Sequence, residues 1–385
     1  MSRLALLRRL REKVSPGFRF SRPLVLLQSD DWGRVGVRDA EGREELRAAG
    51  LNLGERPYDL YSLETSEDVH ELVESLRSLQ DSAGRPPCLE MNFVVANVDF
   101  PASAATGFRD IPLKQLAEGL PGRWDRPGLF DAYRTGIELG VFSPALHGTT
   151  HFCQQAVAHA LTCEGKRERG ELLRTLWKSE TPYIYWRMPW VGYEYWDPEK
   201  LPAERFIPER EQERWIGWAV RSYQKFFDED AVSACAPGYR ADTTTHRLWK
   251  ARGIRVAQNG PGTTRAPRFD EHGLLHTFRS LDFEPALNPE LRWEDCVRNA
   301  ATWLARGLPL IISTHSINFH STLAPFRQKT LPMLRAFLSA LRETYPDLLY
   351  VNTRQLLEIV EIGSYGSGSG RVAVTVTGMR KGVEA

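Results

Sequence analysis

Short apolar runs, each followed by a stretch of helical periodicity, recur from residue 24 to residue 352, and this alternation restricts the fold more than any other feature of the chain. The runs cover residues 24–31, 88–96, 141–146, 231–235, 254–259, 274–283, 308–315 and 348–352. Most lack polar alternation, so they read as strands buried on both faces, which is the pattern of a parallel sheet covered by helices. Helices are expected over 66–79, 129–139, 152–178, 211–227, 242–253, 293–305 and 331–343. The first opens on Ser66-Glu67-Asp68 and puts Val69, Leu72, Val73, Leu76 and Leu79 on one face. Such a series predicts an α/β fold whose sheet closes into a distorted (β/α) barrel of seven or eight units, and 385 residues suffice for one with insertions.

The barrel is expected over residues 21–360. Before it, Leu4, Leu7, Leu10 and Val14 stand at helical spacing among Arg3, Arg8, Arg9, Arg11 and Lys13. Charges interrupt this segment, 1–20, too often for the apolar part of a signal peptide. It reads as a packing helix, with peripheral contact between residues 1–14 and an anionic membrane surface as the alternative. After it, the Gly/Ser-rich stretch 364–370 reads as a linker and 371–377 as one short strand, making 361–385 a flexible tail. Fifty basic residues against 49 acidic ones give no field that would attract nucleic acid. Cys88, Cys153, Cys163, Cys235 and Cys296 are scattered, with no Cys-x-x-Cys pair, which favours a reducing, cytoplasmic location. The window 182–196 is the most aromatic in the chain and marks an insertion at about 178–205. It could offer a stacking platform for sugar rings, or form a lid packing its own small core.

Three expected strand ends carry polar clusters that suit metal-assisted hydrolysis. The first run ends in Asp30-Asp31, the third leads into His147-Gly148-Thr149-Thr150-His151, and the seventh ends in His315. A helical turn at 147–151 would put both imidazoles on one side, and Asp31 would complete a two-His, one-carboxylate set with open positions for water and substrate. Asp30 would then accept the water's proton and His315 would donate one to the departing group. Taken singly, Asp30-Asp31 also fits a strand-end turn, and His315 a hydrogen-bonded core histidine. His272 and His276 share the four-residue spacing, but they sit beside Asp270-Glu271-His272-Gly273, a hairpin sequence rather than a metal pair. Asn92 offers an amide that could face substrate.

In order and type, Asp30-Asp31, the His147–His151 motif, Ala236-Pro237-Gly238-Tyr239-Arg240 and Ser313-Thr314-His315 resemble the motifs of the polysaccharide deacetylases, the NodB-homology or carbohydrate esterase family 4 proteins. The resemblance covers residues 24–352 through its motifs. It implies a barrel of the deacetylase type and a divalent metal, zinc first, with cobalt, nickel and manganese as alternatives. It also implies hydrolysis of an N-acetyl group from an amino sugar, here a surface-polysaccharide or glycan precursor. On this resemblance Asp30 is the base, His315 the acid, and Asp31, His147 and His151 the metal ligands. Tyr239 would lend its backbone N–H to the oxyanion, Arg240 would brace the base, and Asp282 would orient that arginine. Trp32 replaces the usual glycine and would narrow the site or stack on sugar. Two other functions fit the same residues: hydrolysis of a non-sugar amide or cyclic imide, and an inactive glycan-binding barrel.

Overall fold

The computed structural model describes residues 17–261 and 265–378, so the segment expected to touch a membrane, 1–14, lies outside the described residues. The apolar runs form the strands of one central, mostly parallel sheet. Its members are β1 (Leu24–Trp32), β2 (Leu89–Phe93), β3 (Phe142–Leu146), β4 (Ser233–Cys235), β5 (Val256–Asn259), β6 (Leu275–Phe278), β7 (Leu281–Asp282), β8 (Leu310–His315) and β9 (Leu349–Tyr350). Every residue of β1 is buried, as a strand covered on both faces requires. Neighbours run β7-β8-β1-β2-β3-β4-β5-β6, all parallel, and β9 pairs with β1 at Leu24 and Val25. An antiparallel piece, Arg268–Phe269, adds to β6 through the hairpin expected at 270–273.

The expected strand 274–283 is divided. Its first part pairs with β5 and its second with β8, and only Arg279 and Ser280 separate them. The Arg279 N–H donates to the Asn259 carbonyl at 3.0 Å, and the Ser280 N–H to that of Ile311 at 2.8 Å. One short stretch thus bonds the two ends of the strand order.

Helices cover the sheet where the periodicity places them. Ser66–Arg77 begins at a Thr65/Asp68 capping box and buries Val69, Leu72, Val73 and Leu76. The helix expected over 152–178 breaks into Gln154–Thr162 and Arg167–Lys178. The tail departs further from expectation. Ser364–Tyr365 pairs with Val372–Ala373, Val376–Thr377 pairs with Arg19–Phe20, and Tyr365 and Val374 are buried. Residues 363–378 are therefore a packed flap rather than a linker with one strand, because their few apolar side chains find cover beside Phe18, Phe20 and Leu357. No helix among the described residues is long and apolar enough to cross a membrane.

Candidate metal centre and active site

Adjacent residues of a regular strand face opposite sides, yet Asp30 and Asp31 both line one cleft. A bulge explains this. β1 pairs with β2 at Ser29–Met91 and next at Trp32–Phe93, so two aspartates oppose the single residue Asn92. Asp31 takes up the extra length with φ of 73°, a left-handed conformation that a short polar side chain tolerates better than a bulky one. The register also pairs Asp30 with His315 on β8. Since the strands are parallel, their carboxyl ends share one side of the sheet, where α/β proteins bind ligands.

The His147–His151 stretch is not a helical turn, contrary to expectation. It is an irregular loop with Gly148 at φ 82° and His151 at φ 72°, wound around the buried carboxylate of Glu194. Glu194 accepts from the backbone N–H groups of Thr149 (2.7 Å), Thr150 (2.9 Å) and His151 (3.3 Å). Burial pushes its pKa up against the pull of those donors. A Cβ at position 148 would lie 2.8 Å from this carboxylate, so the loop needs glycine there.

The loop and the bulge bring three ligand atoms together. The His151 and His147 Nε2 atoms lie 3.3 Å and 3.7 Å from Asp31 Oδ1. That oxygen is buried without a hydrogen-bond partner, while Oδ2 is taken by Arg34 at 3.0 Å. His147 Nδ1 lies 2.8 Å from the Cys235 carbonyl, which can only accept, so its proton sits on Nδ1 and the Nε2 lone pair is free. His151 Nδ1 meets the Tyr183 hydroxyl at 2.8 Å, and burial lowers its pKa to about 3, so its ring is neutral. Zinc bonds of about 2.0–2.2 Å require ligand atoms roughly 3.3 Å apart in a tetrahedral site, and the two separations from Asp31 Oδ1 come close to that. A second cluster, His246, Asp270 and His276, provides a contrast. His276 Nδ1 faces the Asn259 amide nitrogen (3.2 Å), and the carbonyls of Ala257 and Thr277 fix that amide's orientation. The His276 proton is therefore on Nε2, donated to Asp270 at 3.1 Å, so His276 Nε2 offers no lone pair to a cation there.

Asp30 is gripped from three sides. Arg279 Nη1 donates to Oδ2 at 2.8 Å, Arg279 Nη2 to Oδ1 at 2.5 Å, and Asn92 Nδ2 to Oδ1 at 2.7 Å. Burial alone would raise the Asp30 pKa, but Arg279, His147 and His315 hold it well below the ordinary carboxylate range. His315 Nε2 stands 4.0 Å from Asp30, and its Nδ1 pairs with Glu284 at 2.7 Å. Burial works against the imidazolium, but Glu284 and the two aspartates push the pKa up to about 9. The cleft therefore holds an ionised carboxylate beside a protonated imidazole at neutral pH.

Several residues expected to serve the site are placed otherwise. Arg240 does not touch Asp30; it is exposed and stacks over Trp196, because the carboxylate is already filled by Arg279 from the gap between β6 and β7. Asp282 points to solvent, and Glu284, just past the strand end, is the carboxylate that turns inward. Trp32 is wholly buried against Phe319 and Tyr133, out of reach of a sugar. Asn92 is wholly buried beneath Asp30, where it positions the carboxylate and contacts no cleft surface. Tyr239 does line the cleft, but its N–H donates to the Ala236 carbonyl at 2.8 Å and is not free for an oxyanion. Of the residues missed, Arg279 had a signal, a cation inside an apolar strand run, and Glu194 stood as a lone acid in the aromatic window.

No protein-family model and no curated protein matches this chain. Solved structures similar to it include a candidate polysaccharide deacetylase from Mycobacterium smegmatis, 13% identical, covering 90% of this chain and 94% of that one with a TM-score of 0.45. Another is the Xyl-CE4 domain of a multidomain xylanase from the hindgut metagenome of Trinervitermes trinervoides, at 9% identity, coverages of 88% and 91%, and a TM-score of 0.38. A third is a CE4 family pseudoenzyme from Bacillus anthracis, at 8% identity, coverages of 88% and 66%, and a TM-score of 0.39.

Proposed function

We propose that the protein is a divergent member of the polysaccharide deacetylase family and removes an N-acetyl group from an amino sugar. A divalent cation, zinc first among the candidates, would be held by Asp31, His147 and His151. The observation that carries this reading is Asp31 Oδ1, a buried oxygen without a hydrogen-bond partner where two imidazole Nε2 atoms converge. Residues 21–360 would form the catalytic unit, with the sheet closed as a barrel. The bonding of 275–282 to both β5 and β8 supports that closure. The five cysteines are all free thiols, in keeping with work in the cytoplasm.

When bound, the cation would polarise the acyl carbonyl and acidify water. Asp30, ionised under the grip of Arg279, takes a proton from the attacking water. His315, protonated through Glu284, gives its proton to the sugar nitrogen as the C–N bond breaks. The water oxygen ends in acetate and the nitrogen leaves as an amine, so atoms and protons balance. Arg34 and Tyr183 hold the ligands Asp31 and His151 in place. Zinc-loaded protein incubated with a panel of N-acetylated amino sugars should release acetate. Metal-loaded protein that releases none from any of them would refute the reading.

A further inference from the structure

The cleft above the candidate metal ligands is small, about 220 Å³, against roughly 300–1,000 Å³ for pockets that enclose drug-sized ligands. Four tyrosines, Tyr58, Tyr185, Tyr193 and Tyr239, line it. The Tyr58 ring lies 6.1 Å from that of Tyr185, which lies 5.7 Å from Tyr193, and the Tyr185 and Tyr193 hydroxyls are hydrogen-bonded to each other. Tyr193 sits directly on Gly238, where a Cβ would meet its ring at 2.3 Å, and Tyr239 follows.

This wall is anchored at both ends. Trp186 Nε1 and Arg187 Nε donate to Asp59 Oδ1 at 3.0 and 2.8 Å, which ties the aromatic insertion to the Tyr58 loop through a fully buried carboxylate. At the other end the Tyr239 hydroxyl accepts from Arg279 at 2.8 Å. Glycan bound by an internal residue needs an exit on each side of the reacting ring, one for each neighbour. An arc of tyrosines along one side would leave only one of them.

We infer, resting on the deacetylase reading above, that this site accepts an N-acetylated sugar only as a single residue or at the end of a chain, and that Tyr185 and Tyr193 set this limit. The aromatic insertion is then a selector for chain ends, and a long polymer is a poor substrate except at its terminus. An extended groove would behave differently: each further sugar bound would raise kcat/KM, by about tenfold for every 1.4 kcal/mol gained.

The test uses full-length zinc-loaded protein and β-1,4-linked N-acetylglucosamine oligomers from monosaccharide to pentasaccharide. Acetate release is measured, and the deacetylated residue is located by mass spectrometry of end-labelled product. The expected result is no more than one acetate per chain, always from a terminal residue, with kcat/KM changing by less than about threefold beyond the disaccharide. Internal deacetylation, or several acetates from one chain, overturns the inference. Tyr185→Ala with Tyr193→Ala should open the wall and add internal products. Calorimetric binding of the same series to zinc-loaded Asp30→Asn protein separates this inference from the deacetylase reading. If no oligomer yields acetate, that reading fails, while affinity independent of length still supports an end-on pocket and affinity rising with length overturns it. Absence of both release and binding overturns both.

Discussion

The side chains around the cleft divide into those that would hold a cation and those that would move protons, and substitutions should separate them. His147→Ala and His151→Ala should lose metal and activity together. His315→Ala should keep its metal, while turnover falls roughly 10²–10⁴-fold. Parallel metal analysis and acetate assays check both outcomes. Glu284→Gln removes the anion that holds the His315 pKa near 9, so the alkaline limb of the pH–rate profile should move to lower pH. The same pair bears on stability. Because the folded pKa lies above the ordinary value of 6.5, the pair stabilises fully below about pH 6.5, and the gain is lost as pH rises through 9. In metal-free protein, Glu284→Gln should cost on the order of 2 kcal/mol at pH 6, allowing for the partly exposed ring, and little at pH 10 by urea unfolding. The residues carrying the proposed chemistry were visible in the sequence because they follow apolar strand runs. Arg279 stood out only as a cation inside an apolar run, which does not say what it grips, and Glu284 was missed because nothing local distinguishes an acid that turns inward from one that faces water, as Asp282 does two residues away.

Two local elements, the β1 bulge and the Glu194-centred loop, position the candidate ligands. Neither is legible from periodicity: a bulge adds one residue without changing strand composition, and the loop closes on an acid more than 40 residues away. Glu194→Gln would set an amide NH₂ against backbone N–H groups. It should weaken zinc binding roughly 10–100-fold with His147 and His151 intact, as measured by competition with a chelator. Gly148→Ala should act the same way, since its Cβ would press on that carboxylate at a left-handed position. Arg279→Met leaves Asp30 buried without its cation. That should destabilise the fold by about 3–5 kcal/mol and shift the acid limb of the pH–rate profile upward, because burial then acts on the carboxyl with only His147 and His315 against it.

At the scale of the whole molecule, strand and helix alternation specified the parallel sheet, because both periods follow from which faces are buried. The C-terminal flap escaped it in part: 371–377 reads as a strand, but Ser364–Tyr365 among Gly and Ser is too short to show a period, and Tyr365 and Val374 are buried. Truncation after Ile362 should therefore lower the melting temperature, with each of those two side chains worth about 1.5–3 kcal/mol. The aromatic insertion serves two purposes, burying Ile184, Met188 and Val191 in the core while presenting Tyr185 and Tyr193 to the cleft. All of the proposed chemistry depends on one cation that Asp31, His147 and His151 would hold. Equilibrium dialysis against zinc with elemental analysis measures it directly: wild-type protein should retain one zinc per chain, and Asp31→Ala should retain almost none while remaining folded. Wild-type protein without bound metal, or equal zinc in both proteins, would contradict the account.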